Sequence, residues 1–97
     1  MKTNSICLIE TVEEKGPVGR LSTAIRSITT FVNNPIGQLE AEREFSRLAN
    51  EQKYEDENKT SIFSEDEITE GWDTGALSAP TGDGWTLQVV RSNIDRR

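Results

Sequence analysis

Eight carboxylates crowd the stretch between positions 55 and 73: Glu55, Asp56, Glu57, Glu65, Asp66, Glu67, Glu70 and Asp73, with Lys59 as the single cation among them. This stretch carries a charge of −7 and the whole chain −6, so everything outside it sums to +1. Carboxylates in such numbers can ligate a hard cation, work in pairs as general acid and base, or meet a basic surface. The first use is disfavoured, because Asp and Glu never alternate at the spacing of a calcium loop. For the second, no pair stands out as the two carboxylates of a glycosidase cleft. The third remains.

Other catalytic and metal chemistry lacks its residues. The chain has no histidine, which removes Ser-His and Cys-His nucleophile pairs and every metal site that needs imidazole. Its one cysteine, Cys7, can build neither a zinc site nor an internal disulfide. No glycine-rich phosphate loop with its lysine occurs. Asp73-Thr74-Gly75-Ala76 matches the string that holds the aspartate of retroviral-type aspartic proteases, but the likeness ends with those four residues. Only 22 residues follow Gly75, too few for the flap and barrel such an enzyme needs. The expectation is a binding protein, not an enzyme, with no cofactor and no metal.

Two readings of the acidic stretch compete. Acidic runs ordinarily keep a protein soluble. The alternative is mimicry of nucleic acid. Alternate residues on a strand lie about 6.6 Å apart, and i,i+4 neighbours on a helix about 5–6 Å, so pairs such as Glu65 and Glu67 or Glu40 and Glu44 space negative charge on the scale of successive phosphates. Tyr54, Ile62, Phe63, Ile68 and Trp72 are interleaved with the carboxylates and would anchor the stretch to a core, unlike a disordered acidic tail. The same net charge argues against direct binding to nucleic acid or to an anionic membrane, and favours a basic nucleic-acid-binding protein as partner.

The elements that must hold these residues read as follows. Residues 3–12 suggest a strand, broken by Gly16-Pro17. Val18, Leu21, Ile25, Ile28 and Val32 recur at steps of 3, 4, 3 and 4 and predict an amphipathic helix to about Val32, although Ser22, Thr23, Ser27, Thr29 and Thr30 are mediocre helix formers. Asn34-Pro35 starts another helix, with Ala41, Phe45, Leu48 and Ala49 on its inner face and Ile36 and Leu39 off it; Gly37 weakens its first turn. On its far side Glu40, Glu44 and Glu51 align beside Arg43 and Arg47. Residues 61–64 and 68–72 are short candidate strands, residues 74–84 a loop with a turn signal at Asp83-Gly84, and 85–90 a strand with Trp85, Leu87 and Val89 on one face. The tail from Arg91 reads as polar and frayed. The sum is one domain over residues 1–97 of α+β class, two helices packed on a small, mostly antiparallel sheet.

At 97 residues with 33% hydrophobic content the core must be modest. No stretch approaches the ~20 apolar residues of a membrane span, no signal-peptide core opens the sequence, and Cys7 between Ile6 and Leu8 reads as a buried thiol in a reducing, intracellular compartment. In length, in its lack of cysteine and histidine chemistry, and in the segments Glu55-Asp56-Glu57 and Glu65-Asp66-Glu67, the chain resembles the small acidic phage-encoded anti-CRISPR proteins that act on type I-F surveillance complexes. The resemblance implies a DNA mimic in the cytoplasm of the host bacterium. Its acidic face would occupy the basic pocket where the CRISPR surveillance complex reads the protospacer-adjacent motif, blocking target DNA. The rival expectation is an antitoxin-like or accessory protein that covers a basic partner through an ordinary apolar interface, with Trp72 or Tyr54 as the anchors.

Overall fold

The computed structural model describes residues 2–55, 57–79 and 84–95, the first three and the last four of these as backbone alone. The chain runs β1 (Lys2–Lys15), β2 (Leu21–Val32), α1 (Pro35–Asn50), α2 (Glu65–Thr74), β3 (Ala76–Ser78) and β4 (Thr86–Asp95). The strands form one antiparallel sheet in the order β2-β1-β4-β3, with both helices on one face. This is the expected α+β class. The order of elements differs, since two strands precede the helices.

The segment predicted as a helix from Val18 is β2, the outer arm of a long hairpin with β1. Its register explains the misreading. Leu21, Thr23 and Ile25 point to the open face of the sheet, opposite Lys15, Glu13 and Thr11. Arg26 is then an extra residue, a β-bulge between the Thr11–Ile25 and Glu10–Ser27 pairs, and Ile28, Thr30 and Val32 resume the open face. Aliphatics on every second open-face position recur at a step of four, and the bulge turns one of those steps into three. The result imitates a helical period although Leu21, Ile25, Ile28 and Val32 are all solvent-exposed. The β-branched content of the segment decides for strand.

The sheet face under the helices holds the core: Ile6 and Leu8 of β1, Leu87 and Val89 of β4, and Trp85 just before it, against Ala41, Phe45, Leu48 and Ala49 of α1, Ile68 of α2, and Phe63. The inner face of α1 and the alternation of Trp85, Leu87 and Val89 are as expected. Asn34 caps α1 by accepting from the Gly37 amide at 2.7 Å, and Pro35 follows it. Gly37 does more than weaken that turn. A Cβ there would sit 1.7 Å from the Val32 carbonyl oxygen, so only glycine lets α1 start this close to the end of β2.

Five further expectations need correction. Residues 68–72 belong to α2, not to a strand, because Ser64 and Glu67 form a reciprocal capping box and Ile68, Gly71 and Trp72 make one inner face. Of the candidate strand 61–64, only Ser61 pairs, in an isolated bridge with Lys53. The tail continues as strand to Asp95, paired with β1 along its length. Within the expected loop 74–84, Ala76–Ser78 forms β3; Asp83 of the turn signal lies outside the described residues. Cys7 is half-exposed on the open face, because β1 alternation puts Ile6 and Leu8 inward.

Among the described residues one carboxylate is inside. Glu10 lies on the core side of β1, with only 5% of its surface exposed. Its oxygens accept from the Trp85 indole N–H at 2.6 Å and the Ser27 hydroxyl at 3.0 Å, and the Arg26 guanidinium stands 3.9 Å away. Burying this charge is tolerable because its oxygens are satisfied. No helix among the described residues is long and apolar enough to cross a membrane.

Candidate partner-binding surface

The acidic stretch folds into two parts. Glu65, Asp66, Glu67, Glu70 and Asp73 are all on α2, half of its ten residues, and α2 contains no Lys or Arg. With Ile68 and Gly71 buried and Trp72 half-buried, the turn of 100° per residue sends Asp66, Glu70 and Asp73 outward as one ridge, flanked by Glu65 and Glu67. Glu55 and Glu57 are exposed in the connection between the helices, and Asp56 lies outside the described residues. Glu55 lines a shallow depression with Glu51, Lys53, Tyr54 and Lys59, so two lysines stand beside two carboxylates there.

The five carboxylates of α2 are not equivalent. Glu65, Asp66 and Glu67 occupy the first turn, where the helix dipole favours negative charge. Glu67 also accepts from the Ser64 amide at 3.0 Å, while the Ser64 hydroxyl accepts from the Glu67 amide at 3.2 Å. These three have a structural reason to be acidic. Glu70 and Asp73 do not. Asp73 sits in the last turn of α2, where the dipole opposes it, and Glu70 is repelled by Asp66 at i,i+4. Among the described residues neither side chain makes a hydrogen bond or ion pair. The Asp-Thr-Gly string ends this helix: Gly75 takes the left-handed conformation, φ 93°, that closes it.

The acids of α1 are arranged otherwise. Arg47 forms ion pairs with both Glu44 and Glu51, and its pKa is pushed up, first by the hydrogen bond to Glu44, then by the charges of Glu44, Glu51 and Glu10. The ridge of α1 thus carries counter-charges of its own, and α2 has none. The two helices are braced by Phe45 and Trp72, edge to face with ring centroids 5.6 Å apart. Arg91 of β4 stacks 4.6 Å over the Trp72 ring and donates to the Trp72 carbonyl at 3.1 Å, tying the C-terminal end of α2 to the sheet. Trp72 is therefore partly engaged inside the molecule, and Tyr54 is the more exposed of the two expected aromatic anchors.

Sequence reasoning missed α2 as the scaffold of the ridge. The signal that reveals it is the Ser-x-x-Glu spacing of Ser64 and Glu67, with Ile68 and Trp72 one turn apart and Gly75 at the end. Comparison of the chain with protein-family models, with curated proteins and with solved structures gives no match, so the function must be read from this surface.

Proposed function

We propose that this chain is a non-enzymatic inhibitor that lays the outer ridge of α2 on the basic DNA-recognition surface of a nucleic-acid-binding protein and excludes DNA as its mimic. One observation carries the reading: five charges of one sign, with no counter-charge on the helix, within ten residues of rigid helix. Glu65 to Asp73 spans ~12 Å at ~1.5 Å per residue, about one charge per 2.4–3 Å. That density lies between a single nucleic-acid strand, one per ~3.4 Å, and the duplex, one per ~1.7 Å. A groove that neutralises phosphates would attract it, and salt would weaken the attraction.

The resemblance noted above makes the type I-F CRISPR surveillance complex of the bacterial cytoplasm the first partner to test. Incubating the purified complex with this chain before adding target DNA should abolish the DNA mobility shift, and rising salt should restore it. An intact shift with no co-migration of the two proteins removes that partner. Inhibition that rising salt does not weaken would speak against mimicry even if binding occurs.

A further inference from the structure

We propose that the open face of the sheet is a self-association surface, on which a second copy of this chain packs sheet against sheet. The face opposite the helices presents Leu21, Ile25, Ile28 and Val32 of β2 at 68%, 63%, 55% and 63% exposure, with Val90 of β4 at 46%. Half-buried Ile9 lies directly opposite Ile28, and Cys7 opposite Val90, so the aliphatics form a band crossing three strands. Threonines fill the gaps at positions 11, 23, 30 and 86. Isolated exposed aliphatics are ordinary, but a contiguous band on one flat face marks an interaction surface.

Its extent suits a dimer. Three strands ~4.8 Å apart and ten or more residues long at ~3.3 Å each give a footprint on the order of 14 by 33 Å. That is about 460 Å², over half of the ~800 Å² per partner of a standard interface and the size of a weak, concentration-dependent dimer. Charge selects the occupant. The excess negative charge lies on the helical layer, whereas the described charges on the open face, Glu13 and Lys15, cancel. A basic partner is drawn to the helices; an identical acidic chain can approach only through this neutral face. Aliphatic on aliphatic about a two-fold axis is self-complementary, as an isologous interface requires.

Face packing is favoured over edge pairing for two reasons. Pairing β2 edge to edge would leave Ile25, Ile28 and Val32 in water, because their side chains stand perpendicular to the strands. The bulge at Arg26 also interrupts the ladder that an added strand would need. Packed face to face, the helical layers become the two outer surfaces, and the α2 ridges point in opposite directions.

The test is the mass of the full chain in solution, by sedimentation equilibrium across the micromolar range. The expected result is twice the mass of one chain, with Ile28→Lys monomeric and unchanged in circular dichroism, since that side chain is already half in water. Ile28→Thr, which keeps strand propensity, guards against misfolding and should raise the dissociation constant roughly ten-fold or more. A monomer at every concentration, or a dimer that survives Ile28→Lys, overturns the proposal. So does a monomer whose Ile28→Lys variant loses a different protein partner, which would give the face to that partner. The proposal does not rest on DNA mimicry: dimerisation must persist when α2 is neutralised.

Discussion

Neutralising Glu70 and Asp73 separates what α2 contributes to the fold from what it offers a partner. Asp73 lies in the last turn, where the helix dipole disfavours it by ~0.3–1 kcal/mol at an exposed site, and Glu70 adds ~0.2–0.5 kcal/mol of repulsion with Asp66. The double variant Glu70→Gln, Asp73→Asn should therefore be more stable by about 1 kcal/mol, a rise in Tm of ~4–8 °C for a domain of this size. Binding should move the other way. An exposed carboxylate about 4 Å from a partner cation contributes ~1 kcal/mol in a water-like dielectric. Losing two weakens binding by ~2 kcal/mol, ~30-fold in Kd, and flattens its dependence on salt. Thermal unfolding followed by circular dichroism gives the first quantity, and titration of the surveillance complex at several salt concentrations gives the second. A variant that is less stable than the parent contradicts the reading of the helix. One that binds as tightly as before refutes α2 as the contact surface.

Three further outcomes are expected. Glu10→Ala leaves the buried Trp85 indole N–H without an acceptor and should cost ~2–3 kcal/mol in urea unfolding, whereas Glu10→Gln, which keeps an acceptor oxygen, should lose less than half of that. Gly37→Ala forces a methyl into the Val32 carbonyl and displaces the amide held by Asn34; a loss of ~2–4 kcal/mol in the same measurement is expected, and a neutral result would mean that α1 can slide along the sheet. Glu55→Gln with Glu57→Gln should weaken binding to the surveillance complex less than the α2 pair does, because Lys53 and Lys59 line the same depression as Glu55; the reverse order of affinities would move the contact to the connection between the helices.

What the sequence discloses depends on how local the determinants are. The start of α1 is written in Asn34-Pro35, its inner face in Ala41, Phe45, Leu48 and Ala49, and β4 in the alternation of Trp85, Leu87 and Val89; each is a short-range pattern with one structural solution. In β2 the pattern had two. A bulge at Arg26 gave an edge strand the spacing of a helix; its β-branched residues favour a strand, and the hairpin register with the adjacent β1 resolves the choice. The acidic residues were visible as a cluster. Their sorting into capping acids, paired acids and the unbalanced ridge depends on which helix holds them and where Arg47 and Arg91 reach. The role of Glu10 was hidden for the same reason, since its partner Trp85 is 75 residues away.

The two tryptophans give the molecule optical reporters of its own. Trp85 is fully buried with its indole hydrogen-bonded to Glu10, so its emission follows the integrity of the core. Trp72 rides on α2 beneath the Arg91 guanidinium, half in solvent and adjacent in sequence to Asp73, so its emission follows the electric field at the ridge. Substituting Trp72 with phenylalanine leaves the core reporter alone, and the difference from the parent gives the Trp72 signal; Trp85 is retained because its indole donates to buried Glu10. A cationic partner arriving over α2 would then be visible in Trp72 emission without any attached dye, while unchanged Trp85 emission would certify that the fold beneath had not moved.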